Sequence, residues 1–366
     1  MKIPDETPVI VKDLFKAGET VEGAIRKSVD FFTAADAAST PSQTTAKAKI
    51  ESPRLEAELL LSHVLGITRT QVVINKDRAL TGDELREFEG LVRQKQTGAP
   101  TAYLLGDAEF YGRKFFVDKA VLIPRPETEE LVEWIVNSFN ESLNEPGPQS
   151  SSQGEPEYDK KNGGLKILDL CTGSGCIGLT LACELPAALV CLADLSEEAL
   201  GVARRNASEI MAGFLGNCLG NPVNHLMSNS MNNPVNHPGV EKEHTGAKPP
   251  IIDILRSDLF TDITPDDFQL IVSNPPYVTA DEFEYLDAGV KNFEPRQALL
   301  VDDPGKFNRA LISGAFARLQ PGGWLYLETS PTLIGSIAQL LAEAGFTRIE
   351  VKKDLSGKDR FIRGCK

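Results

Sequence analysis

Residues 165–182 read LKILDLCTGSGCIGLTLA. The apolar run 165–170 is typical of a short buried strand, and the apolar run 176–182 is typical of a helix. Between them stand Gly173 and Gly175, and glycine lets the backbone turn tightly and approach a ligand closely. The stretch therefore predicts a strand, a glycine turn and a helix, which together open an α/β fold.

A second apolar strand follows this helix. Residues 188–193 lead into Asp194, about 20 residues past the glycines, where folds of this kind place a carboxylate that receives ribose hydroxyls. The alternative is an ordinary acidic residue at a strand end. Ser196 then caps a further helix.

A third apolar run, residues 268–272, leads into Asn274-Pro275-Pro276-Tyr277. The prolines end this strand because neither can donate a ladder hydrogen bond. The Asn274 amide, held on a stiff strand end, offers a donor and an acceptor in one plane. This arrangement suits methyl transfer to a planar nitrogen, with Tyr277 supplying an aromatic face. A strand-ending turn with a buried tyrosine is the alternative interpretation.

A dinucleotide-dependent dehydrogenase shares the strand, glycine turn and helix. Its loop usually reads Gly-x-Gly-x-x-Gly, and Gly178 stands three residues after Gly175, so the spacing of the glycines alone does not exclude a dehydrogenase. The Asp169-x-x-x-Gly173-x-Gly175 pattern, together with Asn-Pro-Pro-Tyr, instead resembles the class I S-adenosylmethionine-dependent methyltransferases. The resemblance implies a doubly wound, mostly parallel, Rossmann-like sheet and S-adenosylmethionine as cofactor. It implies that the glycine loop wraps the methionine part, that Asp194 takes the ribose and that residues 257–260 flank the adenine. The cofactor-binding candidates are Cys171, Thr172, Gly173, Ser174, Gly175, Asp194, Leu259 and Asn274.

Two further segments narrow the resemblance. Residues 102–110 contain Ala-Tyr-Leu-Leu-Gly and Glu-Phe, and residues 123–129 read IPRPETE. With the glycine loop and Asn-Pro-Pro-Tyr, they resemble the HemK/PrmC family of peptide chain release factor glutamine N5-methyltransferases. The implied reaction is methylation of the glutamine amide nitrogen in the Gly-Gly-Gln motif of a release factor. Ribosomal-protein glutamine methyltransferases share Asn-Pro-Pro-Tyr but are less similar around residues 124–129.

The chemistry of the amide assigns roles within the motif. A carboxamide nitrogen is a poor nucleophile, so the protein must orient it and stabilise the charge that grows on it. We expect the side-chain oxygen of Asn274 and the carbonyl of Pro275 to accept its two N–H bonds, with Tyr277 packed against the amide plane. Asn274, Pro275 and Tyr277 are the catalytic candidates, and Pro276 joins them in binding substrate. A general base is not required.

Composition limits the partners. The 366-residue chain carries a formal net charge of -14, whereas nucleic-acid binding normally needs a basic patch. Arg204-Arg205 and Lys352-Lys353 are isolated basic pairs, so direct nucleic-acid binding is not expected, although an adenine-N6 methyltransferase remains the alternative. A non-catalytic cofactor sensor is disfavoured by the intact Asn274 and Tyr277.

Targeting features and cysteines also guide the expectations. No apolar run reaches the ~20 residues of a membrane span, and the first residues lack a signal-peptide pattern. We therefore expect a cytoplasmic monomer without membrane contact. The six cysteines have no zinc-like spacing and are expected to pack as small apolar groups, so no metal site is predicted.

The predicted organisation has three parts: residues 1–105 as a helical substrate-recognition domain, 106–123 as a hairpin connector and 124–366 as the methyltransferase domain. Segments 36–50, 141–164 and 207–250 read as flexible insertions. In the helical part, the apolar stripes are predicted to be Val21, Ile25, Val29 and Phe32 in one helix and Leu55, Leu59, Leu60, His63 and Val64 in the next. Thr81 and Glu84 are predicted to form a capping box.

Overall fold

The computed structural model describes residues 13–38, 50–144, 164–185, 188–218, 250–264 and 267–366. Two compact units separate after Leu105. The first unit is helical, and the second carries every strand of the described residues. The parts of the predicted insertions that cover residues 39–49, 145–163 and 219–249 lie outside the described residues.

Helices make up the first unit, and their apolar faces meet in one core. Phe32, Leu60 and Phe88 are completely buried there, and Phe15 stacks on Phe88 with ring centroids 5.3 Å apart. Gly66, with φ +61°, ends the second helix, and two further helices follow before Thr97. The helices are α1 (Val21–Ala38), α2 (Pro53–Leu65), α3 (Arg69–Ile74), α4 (Gly82–Gln96) and α5 (Thr101–Leu105).

The predicted capping box is confirmed, because the Thr81 hydroxyl accepts from the Glu84 N–H while the Glu84 carboxylate accepts from the Thr81 N–H. The stripe predicted for α1 is also confirmed, since its four residues all belong to the core. The stripe predicted for α2 is confirmed at Leu60 and Val64, which lie in or against the core, and is wrong at its other face, where Leu55 is 37% exposed and His63 is exposed. Helix α2 packs against both α1 and α4, which centres its buried face on Ala57, Leu60 and Leu61.

The second unit begins with the hairpin that the sequence predicts. Strand β1 (Asp107–Phe110) pairs antiparallel with β2 (Arg113–Phe116). The connecting residues Tyr111 and Gly112 have φ of +50° and +70°, and positive φ at both central positions matches the twist of paired strands.

A seven-stranded sheet forms the body of the second unit, in the order β5-β4-β3-β6-β7-β9-β8. Pairings from β5 through β7 are parallel, whereas β9 runs antiparallel to both β7 and β8. The predicted doubly wound, mostly parallel sheet is therefore confirmed. Its strands are β3 (Lys166–Leu170), β4 (Leu189–Asp194), β5 (Ile251–Arg256), β6 (Phe268–Ser273), β7 (Leu319–Glu328), β8 (Thr347–Lys353) and β9 (Asp359–Cys365).

Helices cover both faces of this sheet. On one face, α6 and α7 bury Leu131, Ile135 and Leu179, and on the other face α12 and α13 bury Leu311 and Leu341. None of the described helices combines the length and the apolar character needed to cross a membrane. The helices are α6 (Pro126–Asn144), α7 (Cys176–Glu184), α8 (Glu197–Cys218), α9 (Ala280–Phe283), α10 (Ala288–Phe293), α11 (Arg296–Leu299), α12 (Pro304–Arg318) and α13 (Ile334–Ala344).

Two helices are longer than the sequence suggested. Helix α6 continues to Asn144, and α8 continues to Cys218, so the first residues of two predicted insertions are helical. The start of the second insertion still carries Ile210, Met211, Phe214 and Leu215 at helical spacing, so composition alone placed the end of α8 too early.

The order of the strands decides where a ligand can bind. The chain moves from β3 outward to β4 and β5, then returns to place β6 on the other side of β3. Ligands of open α/β sheets bind at such a reversal, outside the carboxyl ends of the strands. Leu170 pairs with Ser273, so the glycine loop after β3 and the Asn-Pro-Pro-Tyr segment after β6 leave the sheet side by side.

Candidate functional site

The glycine loop leaves β3 through a sharp backbone turn. Cys171, Gly173 and Gly175 have φ of +60°, +54° and +82°. A Cβ atom on Gly173 would meet nothing within 4 Å. The positive φ, rather than lack of space, therefore favours glycine at this position, and the residue faces open space. Cys171 adopts the left-handed region with a side chain, which costs roughly 1–2 kcal/mol and persists only where surrounding structure imposes it.

The loop is fastened to the carboxylate of Asp194 at the end of β4. The Gly173 N–H donates to Oδ2 at 2.9 Å, and the Ser196 N–H donates to Oδ1 at 2.9 Å. Burial raises the pKa of Asp194, and these backbone donors oppose the shift. A carboxylate can accept about four hydrogen bonds, so each oxygen keeps capacity for a ligand hydroxyl.

A cavity of about 310 Å³ lies over the carboxyl ends of β3, β4 and β6. The structure brings eight of the predicted residues to its wall: Cys171, Thr172, Gly173, Ser174, Asp194, Leu259, Asn274 and Pro276. Three predicted residues, Gly175, Pro275 and Tyr277, are not among the described residues that line it. Gly175 instead precedes α7, where an added Cβ would lie 3.0 Å from the side chain of Leu179.

Asn274 is held from behind by residues that the sequence prediction did not include. Its Nδ2 donates to the Thr128 hydroxyl at 3.2 Å, and that hydroxyl donates to the Glu328 carboxylate at 2.7 Å. Thr128 and Glu328 are each only 2% exposed. Burial raises the pKa of Glu328 to about 7, although the Thr128 hydrogen bond and the charges of Arg360 and Arg125 oppose the rise.

Tyr277 follows the two prolines and is within electrostatic reach of Glu328. Burial raises the pKa of its hydroxyl, and the negative charge of Glu328 adds to the rise. Arg360 opposes the shift and is itself paired with the buried carboxylate of Asp354 at 3.1 Å. The tyrosine is therefore a half-buried neutral phenol next to Pro276 of the cavity wall.

Comparison with known proteins identifies relatives of this chain. Residues 39–106 match the PrmC N-terminal domain. The chain is 34% identical to the release factor glutamine methyltransferase of Leptospira interrogans, over 86% of this chain and 92% of the relative. It is 36% identical to the protein of that name from Chlorobaculum tepidum, over 86% and 91%.

The chain belongs to the release factor glutamine methyltransferase family. Among solved structures it is similar to a ribosomal protein L11 methylase from Lactobacillus delbrueckii subsp. bulgaricus, with 16% identity, 68% of this chain and 82% of that chain covered, and a TM-score of 0.37.

In this family member, Asp169 on β3 holds the glycine loop by hydrogen bonds. Its Oδ2 accepts from the Thr172 hydroxyl at 2.6 Å and from the Gly178 N–H at 2.9 Å, and burial raises its pKa to about 7. A Cβ atom on Gly178 would lie 2.2 Å from the Leu192 side chain. Gly178 thus serves the close packing of α7 on the sheet, and its spacing from Gly175 does not indicate a dinucleotide.

A partly buried ion pair joins Arg125 of the cavity wall to Glu294. Arg125 donates to Glu294 at 2.6 Å, and the Ile123 N–H donates to the other Glu294 oxygen at 3.3 Å. The Glu294 side chain is 2% exposed, and burial raises its pKa while Arg125 opposes the rise. The sequence singled out residues 123–129 only for the family resemblance, and the structure places Ile123 and Arg125 against Glu294, between α10 and α11.

Asn206 is another residue that the sequence prediction missed. It stands on α8, accepts from the Phe116 N–H at 2.7 Å and donates to the carbonyls of Phe116 and Ser174 at 3.0 and 2.8 Å. It therefore ties the hairpin to the glycine loop. A single asparagine inside an otherwise regular helix carries no sequence signal for this role.

The cysteines near the site are packing residues. Burial raises the pKa of the Cys171 and Cys176 thiols to about 12, so both remain protonated thiols at neutral pH. A nucleophilic or redox role needs thiolate character, which burial in apolar surroundings removes.

Proposed function

We propose that this protein methylates the side-chain amide nitrogen N5 of a glutamine in peptide chain release factors, with S-adenosylmethionine as the methyl donor. The observation that carries the proposal is that Asn274 and Asp194 line one cavity at the reversal of the strand order. The relatives named for release factor glutamine methylation, matched over 86% of the chain, support the substrate.

The residues of the cavity fit this cofactor. Asp194 keeps acceptor capacity for two ribose hydroxyls, and the open space at Gly173 leaves room for backbone approach. The wall is largely apolar beside Leu259, which suits the flat face of an adenine. S-adenosylmethionine supplies an electrophilic methyl group when it is bound.

Asn274 and Pro275 orient the nucleophile. The side-chain oxygen of Asn274 and the carbonyl of Pro275 accept the two N–H bonds of the substrate amide, which draws electron density toward its nitrogen and stabilises developing positive charge. Pro276 shapes the adjoining wall, and Tyr277 limits the space beside the amide plane. The proton leaves the methylated amide to water, because it is strongly acidic in the charged product.

Surface charge supports a protein substrate over a nucleic acid. In the basic pair on α8, Arg204 contacts Glu197 at 2.6 Å and Arg205 contacts Glu209 at 2.9 Å. Near the C-terminus, Lys353 contacts Asp359 at 2.6 Å. These cations are already paired with carboxylates, and phosphate neutralisation requires several available cations on one face.

We assign recognition of the folded release factor to the helical unit of residues 1–105, which has its own core and matches the PrmC N-terminal domain. We also propose that the protein acts as a monomer. Light scattering during size-exclusion chromatography tests the monomer.

The deciding experiment offers purified protein and radiolabelled S-adenosylmethionine to release factors, ribosomal proteins, DNA and RNA in parallel. We expect label in release factors alone, and peptide mapping should place one methyl group on the glutamine of Gly-Gly-Gln. A release factor with that glutamine changed to alanine is the control. Label in DNA, RNA or ribosomal protein with none in release factor would refute the substrate assignment.

A further inference from the structure

Three elements meet behind Asn274 and form a hydrogen-bonded chain. Thr128 lies in the first turn of α6, Glu328 is the last residue of β7, and Asn274 follows β6. The distances are 3.2 Å from Asn274 Nδ2 to Thr128 Oγ1 and 2.7 Å from Thr128 Oγ1 to Glu328 Oε2. Thr128 also reaches the cavity wall.

Counting protons fixes the direction of this chain while Glu328 is ionised, which is its state above its pKa of about 7. A carboxylate oxygen only accepts, and a threonine hydroxyl has one proton to give. Once Thr128 donates that proton to Glu328, the side of the hydroxyl that faces Asn274 can only accept. Asn274 must therefore present its NH2 group to Thr128, and its Oδ1 must point the other way.

We propose that Thr128 and Glu328 are positioning residues that fix the orientation of the Asn274 side-chain amide, so that its oxygen is offered to the substrate amide. This inference rests on the proposed function. The two ends of an asparagine amide are nearly equal in size, so packing alone does not select one orientation. A flipped amide would present NH2 to the NH2 of the substrate and lose the acceptor on which methyl transfer depends.

The burial of Glu328 supports a role beyond packing. An ionisable side chain with 2% exposure is costly to bury, and an apolar residue of similar volume would fill the same space with less desolvation. Its charged surroundings come from several elements: Arg125 and Glu127 at the start of α6, Arg360 on β9 and Tyr277 after β6. The carboxylate is kept where it can receive the Thr128 proton.

The test compares Thr128→Val with Thr128→Ser in the full-length protein, with release factor as substrate. Valine keeps the shape and removes the hydroxyl, whereas serine keeps the hydroxyl. We expect Thr128→Val to lower kcat by about 5- to 10-fold, the upper range for one neutral hydrogen bond, with the Kd of S-adenosylmethionine unchanged. Thr128→Ser should restore most of kcat. Equal kcat for Thr128→Val and wild type would overturn the inference.

A double-mutant cycle separates positioning from general stability. If Thr128 acts only through Asn274, Thr128→Val should lower kcat no further in an Asn274→Ala background. A loss of the same size in both backgrounds would assign Thr128 a structural role instead. Substitutions at Glu328 give an independent test if Thr128→Val folds poorly. Glu328→Gln retains an acceptor oxygen and should keep kcat near wild type, whereas Glu328→Leu should lower kcat as Thr128→Val does. Equal kcat for the two Glu328 variants would overturn the inference.

A measurement without turnover completes the test. In protein labelled with 15N-asparagine, the side-chain resonances of Asn274 are identified by their loss in Asn274→Ala. We expect slower solvent exchange of its NH2 protons in wild type than in Thr128→Val, and unchanged exchange would overturn the inference. Failure of wild type to methylate release factors would instead refute the proposed function, and the exchange data would stand separately.

Discussion

An Asn274→Asp substitution probes the shared hydroxyl most directly. In the native protein Thr128 accepts from Asn274 and donates to Glu328. An aspartate carboxylate accepts but cannot donate, so one hydroxyl proton would have to serve two carboxylates. One buried acceptor then loses its partner, although the substitution changes the side-chain volume very little.

The magnitude follows from the contacts. A buried group left without its hydrogen bond costs about 1–3 kcal/mol. Both carboxylates would contact the same hydroxyl, so they would stand within about 6 Å of each other and repel by about 3 kcal/mol at an effective dielectric constant of about 20. Because burial already raises the pKa of Glu328 to about 7, the pair would keep one proton and escape part of this cost at low pH.

The sign of the pH dependence is set by which state binds that proton. The folded variant holds the proton with a raised pKa, whereas the unfolded chain releases it near the ordinary carboxyl pKa of about 4. The folded state therefore binds more protons, and the free energy of unfolding falls as pH rises from about 4 to beyond 7. A protonated Glu328 can donate to Thr128, which can then donate to the new aspartate.

We expect Asn274→Asp to lower the free energy of unfolding by about 4–6 kcal/mol at pH 8, where both costs apply, and by about 1 kcal/mol at pH 5, where the retained proton removes the repulsion. The measurement is urea unfolding followed by tryptophan fluorescence, because Trp134 and Trp324 both lie in the second unit. Asn274→Ala is the uncharged control and should differ from wild type equally at both pH values. An Asn274→Asp loss that is the same at pH 5 and pH 8 would refute the shared-proton reasoning.

Three further predictions concern other parts of the site. Asp194→Ala should weaken S-adenosylmethionine binding by about 10- to 100-fold in calorimetry, since hydrogen bonds to a charged acceptor contribute about 1.5–3 kcal/mol, and unchanged affinity would contradict the ribose assignment. Gly178→Ala should lower the free energy of unfolding by about 1–3 kcal/mol, because the added Cβ would lie 2.2 Å from a neighbouring side chain. The matched control Gly201→Ala on α8 has no neighbour within 4 Å and should gain roughly 0.5–1 kcal/mol, so equal effects of the two would argue against packing at Gly178. Arg125→Met should lower the free energy of unfolding by about 1–3 kcal/mol, less than for a fully buried pair because Arg125 is 33% exposed. This loss should grow as pH rises above 4.5, because the pKa of Glu294 rises further without its cation. A pH-independent loss in urea unfolding would show that the ion pair is not its cause.

Local sequence signals predicted the elements of the fold well. The short apolar runs before the glycine loop, Asp194 and Asn-Pro-Pro-Tyr all became neighbouring parallel strands, because continuous apolar stretches of this length bury both faces. The Thr81 capping box was equally readable, since it depends only on residues three apart. The face of α2 was misjudged because two neighbouring helices, far away in sequence, decide which side is buried.

The sequence by itself determined which chemistry the protein can perform: the glycine loop, Asp194 and Asn274 are each recognisable from their own neighbours. Only the tertiary structure decided how Asn274 is held. Thr128 and Glu328 stand 146 and 54 positions from it along the chain, the first on a helix and the second on a strand. The contacts of Thr128 with Asn274 and Glu328 depend on sheet order and helix packing, which are set by burial across the whole unit. No local sequence pattern predicts them.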